Sequence, residues 1–119
     1  MSINKIKKTK DFSTIYNKSK KVHTKYAIIF IKKNLEKEQR FGFVASKKTG
    51  NSVYRNRIRR LFKEFVNLNK NKFSKETDYV FVGKSILKDN LKNIKYKDIE
   101  KDLSKVIKWQ KIGWEKQII

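Results

Sequence analysis

The chain has 119 residues, and its 32 lysines and arginines against 11 aspartates and glutamates give a formal net charge of +21. This length suits one core, and the 38% of hydrophobic residues are enough to build it, which excludes disorder throughout and a second independent domain. The absence of cysteine excludes disulfides and thiolate metal sites, and no run approaches the roughly 18 apolar residues that span a bilayer. We therefore expect one soluble cytoplasmic domain over residues 1–119 that binds a polyanion and not a membrane.

The first predicted element is a short helix in TKDFSTIYNKS, preceded by a mobile basic tail over residues 1–8. Phe12, Ile15 and Tyr16 fall at i, i+3 and i+4, the spacing that places side chains on one helix face. The next segments, rich in β-branched and aromatic residues, predict a short edge strand and two longer strands: KVHT, KYAIIFIKK and RFGFVASKK. The polar segment NLEKEQ predicts a hairpin between the two longer strands. In the first of these, Tyr26, Ile28 and Phe30 are expected on one sheet face and the intervening residues on the other.

The segment NSVYRNRIRRLFKEF, residues 51–65, predicts a helix that packs on one face. At 100° per residue, the predicted buried residues fall within one arc of about 120° centred near Ile58. They are Tyr54, Ile58, Leu61, Phe62, Phe65 and Leu68. Asn51 or Ser52 can cap the start of this helix, and Gly50 gives a flexible approach to it.

The charged part of this helix is the strongest functional signal in the chain. Four of the five arginines fall within residues 55–60, and no acidic residue occurs between positions 39 and 63. Arg55, Arg59 and Lys63 follow one flank at i, i+4 and i+8, a like-charge spacing that destabilises a helix by roughly 0.2–0.5 kcal/mol per pair. The far side holds Asn56, Arg57 and Arg60. Because guanidinium groups form forked hydrogen bonds with phosphate, the pattern predicts nucleic-acid binding; a merely solvated face would carry both signs.

After this helix, DYVFVGK predicts another strand and YKDIEKDLSKVIKW a closing helix, with fraying expected over residues 113–119. No catalytic constellation is visible. His23 is the single histidine, the carboxylates are scattered along the sequence, and no glycine-rich phosphate loop occurs. We therefore predict no catalytic and no metal-binding side chain in the protein itself.

The run ASKKTGNSVYRNRIRRLFKEF resembles the signature of the protein subunit of bacterial ribonuclease P, and the order of elements agrees from KDFSTIY to VIKW. The resemblance implies an α+β fold, a single-domain α/β sandwich of order αβββαβα with a left-handed βαβ crossover, an exception to the usual handedness. It also implies a ribonucleoprotein enzyme that removes the 5′ leader of precursor tRNA. In that enzyme the catalytic RNA and the Mg²⁺ that it mainly holds carry out the hydrolysis.

Partners and site residues are implied by the same resemblance. Contacts with the catalytic RNA subunit are implied for Lys47, Lys48, Asn51, Arg55, Asn56 and Arg57. The cleft for the single-stranded leader of precursor tRNA is implied for Phe12, Tyr16, Phe30, Arg59, Arg60 and Lys63. No stable protein partner is predicted. The alternatives are a structural RNA-binding or ribosomal-type protein without leader recognition and, with less support, a DNA-binding regulator, since no helix-turn-helix pair precedes the arginines.

Overall fold

The computed structural model describes residues 5–6, 9–34 and 38–118, without the side chains of residues 9–13 and 111–118. Eight regular elements follow one another: α1 Thr9–Lys18, β1 Lys20–His23, β2 Ala27–Lys33, β3 Arg40–Val44, α2 Ser52–Asn69, β4 Thr77–Gly83, α3 Ile86–Asn90 and α4 Tyr96–Ile118. Short 3-10 turns lie at Lys47–Thr49 and Lys70–Lys72. The predicted α+β class and the order αβββαβα are confirmed, with the five-residue helix α3 as an addition. The backbone of α4 is helical through residues 113–118, where we predicted fraying.

The four strands form one sheet in the order β1-β2-β4-β3. β4 pairs antiparallel with β2 and parallel with β3, so the predicted hairpin between β2 and β3 is wrong. The reason is burial: every residue of β4 except the half-buried Val82 is buried, and a strand covered on both faces takes a central position. The parallel pair β3 and β4 is joined through α2, as the resemblance implied. The handedness of this crossover stays a prediction.

One face of the sheet carries the main core, which α2 and α4 cover. On α2 the fully buried residues are Ile58, Phe62, Phe65 and Val66. Tyr54 and Leu61 are partly buried against this core, in agreement with the sequence pattern. Leu68 was predicted to be buried and is 65% exposed, because the buried arc of the helix is displaced toward Val66.

The other face of the sheet is covered by the short helix α1. Ile15 of α1 and Val80 of β4 are buried together, and Phe30 packs against them. Along β2, the predicted alternation is confirmed for Ile28 and Phe30, which are half-buried between fully buried neighbours. Tyr26 does not share their face: it precedes the first residue of β2, outside the regular pleat, and belongs to the main core.

Residues 5 and 6 lie against the outer edge of the sheet. Lys5 forms a parallel bridge with Phe41 of β3, and the Ile6 amide donates a hydrogen bond of 2.9 Å to the Phe41 carbonyl. The Ile6 side chain is buried in the α1 cluster. These two residues of the predicted mobile tail are therefore part of the fold.

Gly50 joins the 3-10 turn to α2 and has a backbone angle φ of 131°. Residues that carry a Cβ atom rarely adopt this conformation. A Cβ atom at this position would lie 2.7 Å from Cδ2 of Tyr54. We expect Gly50→Ala to reduce the free energy of unfolding by about 2 kcal/mol, because strain and steric overlap add. Urea unfolding followed by circular dichroism measures this change. Lys48→Ala, an exposed substitution in the same turn, is the control, with an expected change within about 0.5 kcal/mol. Equal stability of the Gly50 variant and the wild type would contradict the expectation.

Candidate nucleic-acid interface

Two successive caps shape the start of α2. The Ser46 hydroxyl accepts a hydrogen bond of 3.3 Å from the Lys48 amide, and the Asn51 side chain accepts one of 3.0 Å from the Tyr54 amide. Of the two predicted cap residues, Asn51 is therefore the cap, and Ser52 is the first residue of the helix. Lys47 and Lys48, on the intervening turn, are exposed. The fold thus presents two ammonium groups directly before the arginine-rich turns of α2.

A cavity of about 360 Å³ lies between α2 and the edge strand β3. Its lining comes from α2, from β3 and from the N-terminal segment: Asn56, Arg59, Arg60, Lys63, Phe41, Gly42, Phe43, Lys5 and Ile6. Within it, the Arg59 guanidinium donates a hydrogen bond to the Asn56 side-chain oxygen. We call this feature the β3–α2 cavity. It unites Arg59, Arg60 and Lys63, which the resemblance assigned to the leader cleft, with Asn56, which it assigned to the catalytic RNA.

The charge of the β3–α2 cavity is positive. None of its nine described lining residues is acidic, and Arg59, Arg60, Lys63 and Lys5 are basic. The apolar part of the lining comes from Ile6, from β3 at Gly42 and from the half-buried Phe43, whereas the ring of Phe41 is fully buried in the main core. A groove that combines cations with apolar and aromatic surface suits a nucleic-acid strand, which offers phosphates on one side and bases on the other.

Arg57 faces away from this cavity. Its Nη1 and Nη2 atoms donate hydrogen bonds of 2.9 Å each, to the carbonyls of Leu91 and Ile94 in the turn between α3 and α4. The sequence grouped Arg57 with Asn56 and Arg60 on one far side of the helix, and the structure separates it from them. The helical periodicity of the sequence already indicates this separation, because Arg57 and Arg59 lie about 100° to either side of Ile58, on opposite flanks of the helix. The carbonyl partners of Arg57, more than 30 residues away, could not be read from this periodicity.

Arg55 is half-buried on the first turn of α2. Its Nη2 donates a hydrogen bond of 3.2 Å to the Ser52 hydroxyl, and its Nε atom is buried without a hydrogen-bond partner among the described residues. It does not line the β3–α2 cavity. The Arg55 side chain thus stays close to the first turn of its own helix.

The aromatic residues of the implied leader cleft lie on the α1 face of the sheet. The rings of Tyr16 and Phe30 meet edge to face, with centroids 4.8 Å apart, and the Lys21 ammonium lies 5.5 Å from the Phe30 centroid. Burial raises the pKa of the Tyr16 hydroxyl above its ordinary value. Both rings are half-buried, so each leaves an accessible part. Phe12 was predicted to join them, and its side chain lies outside the described residues.

Among the described residues, Tyr16 and Phe30 do not line the β3–α2 cavity, but the two sites are neighbours. Ile6 connects them, because it packs in the same cluster as the two rings and also lines the cavity. The structure therefore places the aromatic and the basic halves of the implied leader cleft on either side of the segment at residues 5–6.

The buried carboxylates of the described chain serve structural contacts. Asp78 pairs with the Arg40 guanidinium at 2.7 Å and accepts a hydrogen bond of 2.7 Å from Asn34. Asp102 accepts hydrogen bonds of 2.9 Å from the amides of Lys25 and Tyr26. Within residues 5–6, 9–34 and 38–118, no three His, Asp or Glu side chains gather as a metal-binding group. His23 is exposed on β1. In the same residues, no helix combines the length and the apolar character that crossing a membrane requires.

Comparison with known sequences identifies relatives over most of the chain. A protein-family model described as Ribonuclease P matches residues 2–111. The "Ribonuclease P protein component" of Fusobacterium nucleatum subsp. nucleatum is 46% identical over 110 residues, which cover 92% of this chain and 99% of that protein. The protein of the same description from Alkaliphilus metalliredigens is 40% identical over 111 residues, or 93% and 96% of the two chains.

Comparison with solved structures agrees with the comparison of sequences. The RNase P protein of Staphylococcus aureus superposes with a TM-score of 0.80 at 28% identity, covering 93% of this chain and 98% of that one. The RNase P protein from Thermotoga maritima also reaches a TM-score of 0.80, at 23% identity, over 88% and 96% of the two chains. The second likeness extends the shared fold to a more distant sequence.

Proposed function

Because the chain belongs to the Ribonuclease P protein family, we propose that it binds the catalytic RNA of that endoribonuclease and the 5′ leader of precursor tRNA. The chain serves as the protein component of the holoenzyme, which removes the leader and so produces the mature 5′ end. The proposal concerns how this component works: it positions the precursor beside the RNA active centre, in the cytoplasm. The β3–α2 cavity is the observation that carries it.

A single-stranded leader suits the β3–α2 cavity and the Tyr16–Phe30 pair better than an RNA duplex does. A single strand can place a phosphate near Arg59, Arg60 or Lys63 and turn its unpaired bases toward aromatic surface. The accessible parts of Tyr16 and Phe30 offer such surface, and stacking on an aromatic ring stabilises a bound base by roughly 1–3 kcal/mol. Bases in a duplex are already stacked on each other. Mature tRNA, which has no leader, would leave these contacts unused.

The catalytic RNA is assigned to the start of α2 and the turn before it. Lys47, Lys48 and the exposed Asn51 project there, and Arg55 lies beside them. Ammonium and guanidinium groups bind phosphate without reading the sequence, so this surface suits a structured RNA backbone. Such binding weakens as the salt concentration rises.

The Mg²⁺ of the reaction is proposed to be held by the RNA. The donor set of the described chain does not fit a protein-held Mg²⁺, since its two buried carboxylates are engaged with an arginine, an asparagine and backbone amides. No step is therefore assigned to a metal bound by these side chains. Their contribution is to bind and orient the RNA substrate.

Reconstitution with the cognate catalytic RNA at low Mg²⁺ concentration tests the proposal. We expect addition of the protein to lower the Mg²⁺ concentration needed for leader removal, because its cations replace part of the charge neutralisation. We also expect it to increase affinity for precursor tRNA at least about tenfold over mature tRNA, equivalent to about one or two stacked bases. Cleavage and filter-binding assays measure the two effects. Equal affinity for precursor and mature tRNA would instead favour a structural RNA-binding protein without leader recognition.

A further inference from the structure

The turn over residues 91–95, between α3 and α4, is held by Arg57 of α2. The two guanidinium hydrogen bonds reach the carbonyl of Leu91, the residue that ends α3, and the carbonyl of Ile94. The Leu91 carbonyl lies at the end of α3 and the Ile94 carbonyl lies in the turn, and a planar guanidinium with two N–H groups can satisfy both at once. The side chains of Leu91 and Ile94 are both buried, so the turn is fixed from two sides.

The same turn presents basic side chains. Lys92 and Lys95 are exposed on it, although the backbone around them is ordered by hydrogen bonds. The acidic neighbour Asp98 uses its carboxylate to accept a hydrogen bond of 2.8 Å from the Lys95 amide, and Asp89 is exposed on α3. The ammonium groups of Lys92 and Lys95 are therefore carried by an ordered backbone, with Asp89 and Asp98 nearby in the sequence.

The turn lies beside the surface assigned above to the catalytic RNA. A Cβ atom on Gly83 would lie 3.1 Å from Leu87 of α3 and 3.5 Å from Thr49, so α3 packs close to the turn that bears Lys47 and Lys48. The turn that follows α3, residues 91–95, is joined to α2 by the hydrogen bonds of Arg57. The basic residues at 47–48 and at 92 and 95 are thus carried by adjoining segments.

We propose that Arg57 is a positioning residue that fixes the 91–95 turn, so that Lys92 and Lys95 extend the surface for the catalytic RNA. The sequence resemblance implied a direct contact between Arg57 and that RNA. In the structure, the bonds of its two terminal nitrogens to carbonyls assign it a different role. This inference rests on the proposed function for its RNA part, whereas the tether itself is a property of the free protein.

Hydrogen exchange in the free protein tests the tether. We expect Arg57→Gln to accelerate exchange of the Asn93 and Ile94 amides at least about tenfold, because both hydrogen-bond the Asn90 carbonyl and so hold this turn against the end of α3. The amide of Phe62, in the middle of α2, is expected to stay within about twofold of the wild type. Unchanged exchange at residues 93 and 94 would overturn the tether, as would equal acceleration throughout α2.

Affinity for the catalytic RNA tests the positioning. We expect the double variant Lys92→Gln/Lys95→Gln to bind about 5- to 10-fold more weakly at fixed salt, because two phosphate contacts are lost. Lys101→Gln/Lys108→Gln, with the same charge change on exposed positions of α4, is the control for the general field of the protein. If the two double variants bind alike, the 91–95 turn is not part of the RNA surface, and the proposal is wrong.

Two further variants separate positioning from direct contact. Arg57→Lys keeps the charge but cannot span two carbonyls, so we expect it to weaken RNA binding about as much as Arg57→Gln. Added to the Lys92/Lys95 double variant, Arg57→Gln is expected to weaken binding less than about twofold more. Full binding by Arg57→Lys, or additive losses, would show a direct phosphate contact and overturn the proposal. Failure of the wild type to bind the RNA would refute the proposed function and the RNA part of this inference, while the exchange data still decide the tether.

Discussion

Replacing Arg59, Arg60 and Lys63 together by glutamine is expected to reduce the affinity for precursor tRNA in the holoenzyme about 100-fold, or about 3 kcal/mol. These three side chains line the β3–α2 cavity, and Asn56 is the fourth α2 residue in its lining. Each lost phosphate contact also reduces the steepness of the salt dependence by about 0.7 in the slope of log affinity against log salt concentration for a single strand. The summed change in slope is therefore about 2.

A charge-matched control separates this effect from the general field of a protein with a net charge of +21. Lys97, Lys101 and Lys108 are exposed on α4, and none of them lines the cavity. Their replacement by glutamine removes the same three charges, so we expect less than about a fivefold loss of affinity. Titration of leader-bearing precursor and mature tRNA across several salt concentrations measures both variants. Similar losses for the two triple variants would contradict a specific role of the cavity.

Asp102→Ala is expected to lower the free energy of unfolding by about 3–4 kcal/mol, because it leaves one buried and one partly buried amide without an acceptor. The carboxylate of Asp102, on α4, is 5% exposed and accepts hydrogen bonds from the amides of Lys25 and Tyr26. It thereby joins α4 to the turn between β1 and β2. The Lys105 ammonium, 3.5 Å away, is largely exposed and adds little.

The conservative variant and an exposed carboxylate provide the controls. Asp102→Asn keeps one oxygen acceptor and should lose about half as much stability, whereas Asp89→Ala, on the exposed side of α3, should change it by less than about 0.5 kcal/mol. Urea unfolding monitored by tryptophan fluorescence and circular dichroism gives these differences. An Asp102→Ala protein as stable as the wild type would show that the two amides find other partners.

The sequence predicted the local features of the candidate site well. The start of α2, its cap at Asn51 and most of its buried face follow from short-range rules, because they depend on neighbours within four residues. The error at Leu68 has a physical cause: periodicity defines an arc, whereas the sheet decides how far around the helix that arc is covered.

The aromatic part of the site was predictable only in part. The alternation along β2 places Phe30 on the α1 face, and helical spacing places Ile15 and Tyr16 together. That Ile6 lies between this pair and the β3–α2 cavity, in contact with both, was not predictable, since residues 1–8 carry no periodic pattern that predicts a strand pairing. The contact arises from backbone hydrogen bonding to an edge strand.

By itself, the sequence determined the kinds and the order of all elements except the short helix α3, and the concentration of guanidinium groups on one helix, because these depend on composition and short-range spacing. Tertiary structure decided which strands are neighbours and where each arginine points. β4 separates β2 from β3 only because it is apolar on both faces and reaches the sheet after the α2 crossover. Arg57 finds its carbonyl partners, and Arg59 its cavity, only when segments far apart in the chain are packed together.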